Sequence, residues 1–155
     1  MKIVPFKTPF DDLLKIFSNR KLLHYTDLDF ATSVDDINLR NWIIDSNRVS
    51  WAGYDNEIFV GFVSAHLVKK HLTASMTIVL LEEYQKKGFA KQLFQYAIYE
   101  LKQRGFVRLE SQICTENIDS IRLMESLEFE CEGILRKNFL IDGDLKDSYM
   151  YAKFL

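Results

Sequence analysis

The sequence predicts an α/β (α+β) fold: one mixed, twisted sheet with helices on both faces. Three observations point there. Three strand-like runs follow one another from Arg48 to Leu81. The stretch "LLEEYQKKGFAKQLF" (Leu80 to Phe94) passes from an apolar strand through a charged turn into an amphipathic helix. Two long alternating runs around "IDGD" form a closing hairpin.

Each element has a local reason. "KIVPF" (Lys2 to Phe6) reads as an edge strand, because Pro5 cannot donate to a central ladder. Thr8 and Pro9 suit a cap and first-turn proline, opening a helix to about Phe17. Asn19 to Thr32 reads as irregular. Ser33 and Asp36 form a capping-box-like pair for a helix whose apolar positions are Val34, Ile37, Leu39 and Trp42. "RVSWAGY" and "IFVGFVSAHLV" flank "DNE" as a hairpin, and "LTASMTIVLL" is the next strand. Beyond Gly88, Phe89, Ala90, Leu93, Phe94, Ala97, Ile98 and Leu101 trace one helical stripe, closed by Gly105. "FVRLESQI" is a strand, "NIDSIRLMESL" a short helix, and the final hairpin completes the order β-α-α-βββ-α-β-α-ββ.

The totals bound the function. The 155 residues suggest a single domain, 1–155, large enough for a real core. Hydrophobic residues make up 48% and charged residues 27%, with a net charge of −2. That balance gives no support to a general nucleic-acid binder. Two cysteines without a CxxC, and three scattered histidines, argue against a disulfide scaffold or a metal centre. No apolar run approaches the length of a membrane helix, and the N-terminus lacks an apolar signal region. The expected compartment is the cytoplasm.

The turn at Gly88 carries the chemistry. Amides at a helix start lack partners inside the helix and carry partial positive charge, so they can hold a phosphate. Gly88 lets the phosphate approach the main chain, Ala90 is small for the same reason, Lys86 and Lys87 add charge, and Gln85 can donate. The alternative is a solvated turn whose glycine merely permits a tight bend. Neither G-x-x-x-x-G-K-[ST] nor G-x-G-x-x-G is present, and consecutive hairpin strands weaken a Rossmann reading.

These residues resemble the GNAT superfamily of acyl-coenzyme A-dependent N-acetyltransferases. "LLEEYQKKGFAKQLF" resembles that family's pyrophosphate loop, and "ENIDSIRLMESLEF" resembles its N-x-x-(A/S)-x-x-L-Y-E-K-x-G-F segment. Glu132-Gly133, Gly143 to Asp147 and Tyr151-Ala152 are similar to the branch acting on ribosomal-protein N-termini, polyamines and amino sugars.

The resemblance implies a GNAT-like domain of about seven strands, splayed between the fourth and fifth, with about four flanking helices. It implies acetyl-CoA as cosubstrate and no metal. Main-chain groups of Val79, Leu80 and Leu81 would pair with the pantetheine arm. Amides of Gln85, Lys86, Lys87, Gly88, Phe89 and Ala90 would hold the pyrophosphate, and Asn117 would bond near the thiol end. Asn117 could instead simply cap its helix.

Three positions depart from the family pattern. Glu82 replaces a proline, Glu128 replaces a glycine, and Met124 stands where many members carry the tyrosine that protonates the leaving thiolate. Ser120, three residues after Asn117, is the candidate substitute acid, weighed against a backbone-bonded first-turn serine. Tyr149 and Tyr151 are the runners-up. Cys114 is read as a buried small hydrophobe rather than an acyl carrier.

An amide near Leu80 would stabilise the oxyanion. With no base in "ASMTIVL", and Glu82 and Glu83 read as a solvated turn, a low-pKa acceptor is favoured, a protein N-terminus or an amino sugar. The alternatives are a polyamine acceptor and a non-catalytic coenzyme A sensor. The acceptor, small molecule or protein, would meet His24, Tyr25, Asp27, Asp29, Phe30, Asp35, Asp36 and the last hairpin. No nucleic acid or membrane is expected as partner, and a homodimer stays open.

Overall fold

Two layers of helix enclose one sheet, and the chain enters it at an edge. The computed structural model describes residues 1–6, 11–26, 28 and 36–155, Asp36 by its main chain alone. The elements are β1 (Lys2–Phe6), α1 (Asp11–Phe17), α2 (Arg20–Leu23), α3 (Asp36–Ile44), β2 (Arg48–Asp55), β3 (Ile58–Val68), β4 (Thr73–Leu80), α4 (Phe89–Gln103), β5 (Arg108–Cys114), α5 (Ile118–Ser126), β6 (Glu130–Ile141) and β7 (Asp144–Phe154). The seven strands lie in the order β1-β2-β3-β4-β5-β7-β6. Every pairing is antiparallel except β4 with β5.

Local sequence accounts for the turns. Asn56 and Glu57 both take left-handed φ angles of 46° and 66°, and Asp55 faces Ile58 across them. Asp142 and Gly143 do the same at 52° and 87°, with Ile141 facing Asp144. Paired left-handed residues give a turn whose twist matches that of the flanking strands. Pro5 lies on β1, an edge strand, as its missing donor requires.

The core divides between the two sheet faces. On one, Leu93, Phe94, Ala97 and Leu101 of α4 and Met124 of α5 pack on Trp51, Val63, Ala65 and Met76. On the other, Leu13, Ile16 and Phe17 of α1 and Leu39, Trp42 and Ile43 of α3 pack on Ala52, Phe62 and Val79. Neighbours such as Trp51 and Ala52 thus face opposite layers, as strand alternation demands. Phe62 meets Phe17 at 6.1 Å and Trp42 at 5.5 Å between ring centroids. Burying one such ring is worth roughly 2–3 kcal/mol, so these contacts anchor the N-terminal helices.

Three expectations need correction. The stretch read as irregular contains α2, a single turn capped by Asn19, whose side chain accepts from the Lys21 amide at 3.1 Å. The described helices therefore number five rather than about four. Ile37 does not join the buried face of α3; it is 63% exposed, and Leu39, Trp42 and Ile43 make that face. The Thr8–Pro9 start of α1 and the Ser33 cap lie outside the described residues.

Candidate active site

The single parallel pair is where the sheet opens. β4 and β5 share only the partners Thr73–Arg108, Ala74–Leu109 and Ser75–Glu110. A buried hydrogen bond from Ser111 Oγ to the Met76 carbonyl, at 3.1 Å, is the last link. Beyond it β5 stays with β7, to Cys114 opposite Ser148, while β4 stays with β3, to Leu80 opposite Gly61. Each strand is held by its outer neighbour, so the two part and leave a cavity of about 620 Å³.

Strand alternation decides which groups of β4 face that gap. The Leu81 amide donates to the Val60 carbonyl at 3.0 Å, and the Leu81 carbonyl accepts from Tyr84 at 3.0 Å. Both Leu81 groups are therefore taken, contrary to the expectation of a contact there. The Val79 carbonyl lies against Gly61, where an added Cβ would come within 2.3 Å of it. The Val79 carbonyl thus also faces β3, while the residue itself lines the cavity. The alternate residues Ile78 and Leu80 turn their main-chain groups toward the gap. The Leu80 carbonyl accepts from Gln85 Nε2 at 3.2 Å, which leaves its amide as the group directed at the cavity.

The turn into α4 presents a row of amides. The Gln85 amide bonds to the Glu82 carbonyl at 3.1 Å, so it is not one of them, contrary to expectation. The first bond of α4 runs from Gln92 to the Gly88 carbonyl at 3.2 Å. Amides from Lys86 to Lys91 precede it and have no main-chain acceptor among the described residues. Gly88 has φ 86°, and a Cβ there would meet nothing within 4 Å. Conformation, not crowding inside the protein, is what calls for glycine.

The side chains of this turn divide. Lys86, Gly88 and Ala90 line the cavity, as does Lys91, which sequence reasoning passed over. The Lys87 ammonium instead sits over the Tyr84 ring, 5.7 Å from its centroid. Phe89 packs edge-on against the same ring, also at 5.7 Å. These two side chains support the turn from outside the cavity.

On the opposite wall Asn117 caps α5: its Oδ1 accepts from the Ser120 amide at 3.2 Å. Asn117 and Ser120 both line the cavity. Ser120 is half-buried, and its hydroxyl has no partner among the described residues. The backbone-bonded alternative for that hydroxyl is therefore not what the structure shows. Met124 borders the same space at 1% exposure and carries no proton to give. Tyr149 and Tyr151 do not line it, and burial pushes the Tyr151 hydroxyl pKa up. Cys114 is buried, with a free thiol.

Leu22, Tyr25 and Phe139 also line the cavity. Tyr25 has its hydroxyl pKa raised, by burial first and then by Cys114, Glu116 and Asp142 nearby. His24 lies 3.8 Å from Asp142. Gln112, a lining residue that sequence reasoning missed, accepts from Asn138 Nδ2 at 2.8 Å. It lies beyond the part of β5 paired with β4, and only the splay reveals it. Glu82 and Glu83 are exposed, and Glu82 pairs with Lys21 at 3.1 Å. Asp27, Asp29, Phe30 and Asp35, and the side chain of Asp36, lie outside the described residues. No group of three metal-ligating side chains occurs among the described residues.

A sheet parted at its one parallel pair, with free amides at the mouth of the gap, has the architecture of an acyl-transfer fold, and sequence comparison agrees. The chain belongs to the acetyltransferase (GNAT) family, whose profile matches residues 10–129. It is 27% identical over 100 residues to the uncharacterized N-acetyltransferase YoaA of Bacillus subtilis, a match spanning 63% of this chain and 56% of that protein. Spermidine N-acetyltransferase from Vibrio cholerae, solved with CoA and spermine, superposes with a TM-score of 0.84 at 20% identity, covering 98% of this chain and 95% of that one. Ribosomal-protein-alanine N-acetyltransferase from Brucella melitensis gives 0.82 at 21% identity, covering 98% and 99%. No helix among the described residues is long and apolar enough to cross a membrane.

Proposed function

We propose that this protein transfers the acetyl group of acetyl-CoA to a low-pKa primary amine, a protein N-terminus or an amino sugar. One observation carries the reading: the gap between β4 and β5 opens at one end onto the amides of Lys86 to Lys91, which have no main-chain acceptor among the described residues. Those donors fit a diphosphate, and Lys86 and Lys91 add positive charge at the same end. The Ile78 and Leu80 main-chain groups fit an extended amide-bearing arm laid along β4.

Bound there, the cosubstrate supplies a thioester acyl group. The Leu80 amide donates to the thioester oxygen as that oxygen gains charge. Ser120, on the first turn of α5, would relay a proton to the departing sulfur and be reprotonated by the proton that the attacking amine sheds as the C–N bond forms and the C–S bond breaks. A thiol pKa near 8.5 makes that proton less critical than for an alkoxide. Among the described lining residues Asp119 is the only carboxylate and no histidine occurs. A site without an evident strong base suits an α-amine of pKa near 8 better than a lysine-type amine near 10.4.

A polyamine is the second reading. Asp142 near Tyr25 favours a cationic acceptor, Glu116 there being paired with Lys146 at 3.0 Å, and a structural relative acts on spermidine. Met124 keeps a non-catalytic coenzyme A sensor as the rival class. Incubation with acetyl-CoA and an α-amine peptide, glucosamine or spermidine, read by acetyl mass gain, separates the three. Gain on the peptide or sugar supports the proposal, and gain on spermidine alone favours the second reading. Tight cofactor binding with no gain on any amine overturns the enzyme reading. A protein of this activity belongs with a cytoplasmic acetyl-CoA pool, which the free thiols of Cys114 and Cys131 suit.

A further inference from the structure

We propose that Asp119 sets how tightly the cofactor's diphosphate is held, by competing for Lys86; this rests on the coenzyme A reading above. The two residues stand on opposite jaws of the parted sheet. Lys86 belongs to the turn between β4 and α4, and Asp119 to the first turn of α5. Both line the cavity, and Lys86 Nζ lies 3.3 Å from Asp119 Oδ2.

Three features make this pair more than an incidental surface contact. Asp119 is the only carboxylate among the described lining residues. Lys91 and Arg122 line the same space and join no ion pair among the described residues, and the lining Lys21 pairs with Glu82, which does not line it, so Lys86 is the lining cation whose partner shares the cavity. Lys86 takes a left-handed φ of 58°, and its amide has no main-chain acceptor among the described residues, so the residue that offers its side chain to Asp119 offers an amide as well.

A diphosphate seated on the Lys86–Lys91 amides draws the Lys86 ammonium toward itself. It must break the ion pair and accept a carboxylate nearby. The pair is exposed, with side chains at 75% and 60%, so by itself it is weak, and a charge-assisted phosphate contact displaces it. Asp119 therefore lowers affinity modestly without closing the site. Spent coenzyme A carries the same diphosphate as the acetylated form, so the same competition speeds product release.

The test is calorimetric titration of the full chain with coenzyme A, in the parent, Asp119→Asn, Lys86→Met and the double variant. Asp119→Asn should bind tighter by up to about fivefold, the upper end of what an exposed ion pair is worth. Asp119→Ser, a second uncharged variant, should gain as much. In the Lys86→Met background the gain should fall below about twofold, because the partner being competed for is gone. Added salt should narrow the parent–variant difference. Unchanged or weaker binding by both uncharged variants overturns the proposal. So does an equal gain in both backgrounds, which marks general repulsion rather than competition for Lys86. If the parent binds no coenzyme A, the cofactor reading itself is overturned.

Discussion

Gly88→Ala separates conformational strain from ligand contact, because the protein contains its own control. Gly88 and Gly105 bracket α4 with nearly equal φ angles, 86° and 81°, and a Cβ at either would meet nothing within 4 Å. An L-residue in the left-handed region costs about 1 kcal/mol more than glycine. Both alanine variants should thus lose about 1 kcal/mol, seen as a melting temperature lower by about 2–4 °C for a chain of this size.

Coenzyme A affinity should then divide them. At Gly88 the new methyl stands before the Lys86–Lys91 amides, where a diphosphate would approach. Losing one charge-assisted hydrogen bond, worth about 1.5–3 kcal/mol, weakens binding roughly 10- to 150-fold. At Gly105 the new methyl lies at the other end of α4, so affinity should change less than about twofold. Thermal melts paired with calorimetry read both effects. Equal losses of affinity at the two glycines, or none at Gly88, would refute the placement of the diphosphate.

Ser120→Ala should lower kcat about tenfold or more while leaving the coenzyme A dissociation constant within about twofold; an unchanged kcat removes Ser120 as the acid. Gly61→Ala should destabilise the fold by about 3 kcal/mol, since φ 147° disfavours a side chain and the Cβ would lie 2.3 Å from the Val79 carbonyl. Gly133→Ala, with open space around it, should stay within about 0.5 kcal/mol in the same denaturant series. The Arg108 guanidinium, bonding Glu132, holds that carboxyl below its usual pKa. A depressed folded-state pKa adds stability above the ordinary carboxylate value, and that stability is lost as pH falls through the folded one. Glu132→Gln should therefore melt below the parent at neutral pH, with the gap closing in acid. A gap that stays constant into strong acid would contradict this.

Much of the fold was legible because each element carries its own local cue. Pro5 marks an edge, Gly88 and Gly105 bracket a strong apolar stripe, and Asp142-Gly143 makes the last turn. Single-turn α2 escaped because four residues cannot display a periodicity, and its Asn19 cap looks like any loop asparagine. Ile37 was misread because helical spacing fits several faces of a nine-residue helix, and packing on Phe62 chooses among them.

The candidate site was legible as a set of segments, not as directions. Whether Val79, Leu80 or Leu81 faces the gap depends on the register with β3, a pairing partner distant in sequence. The same limit hid Gln112, and it hid the approach of Asp119 to Lys86 across the parted strands.

The central claim is that a diphosphate sits on the Lys86–Lys91 amides while its arm follows Ile78 and Leu80. An amide-resolved NMR titration with coenzyme A tests it directly. The account predicts the largest shifts at Lys86 to Lys91 and at Leu80, with the Leu81 and Gln85 amides, already bonded to Val60 and Glu82, moving far less. Saturating shifts confined to another part of the molecule, or none at all, would contradict it.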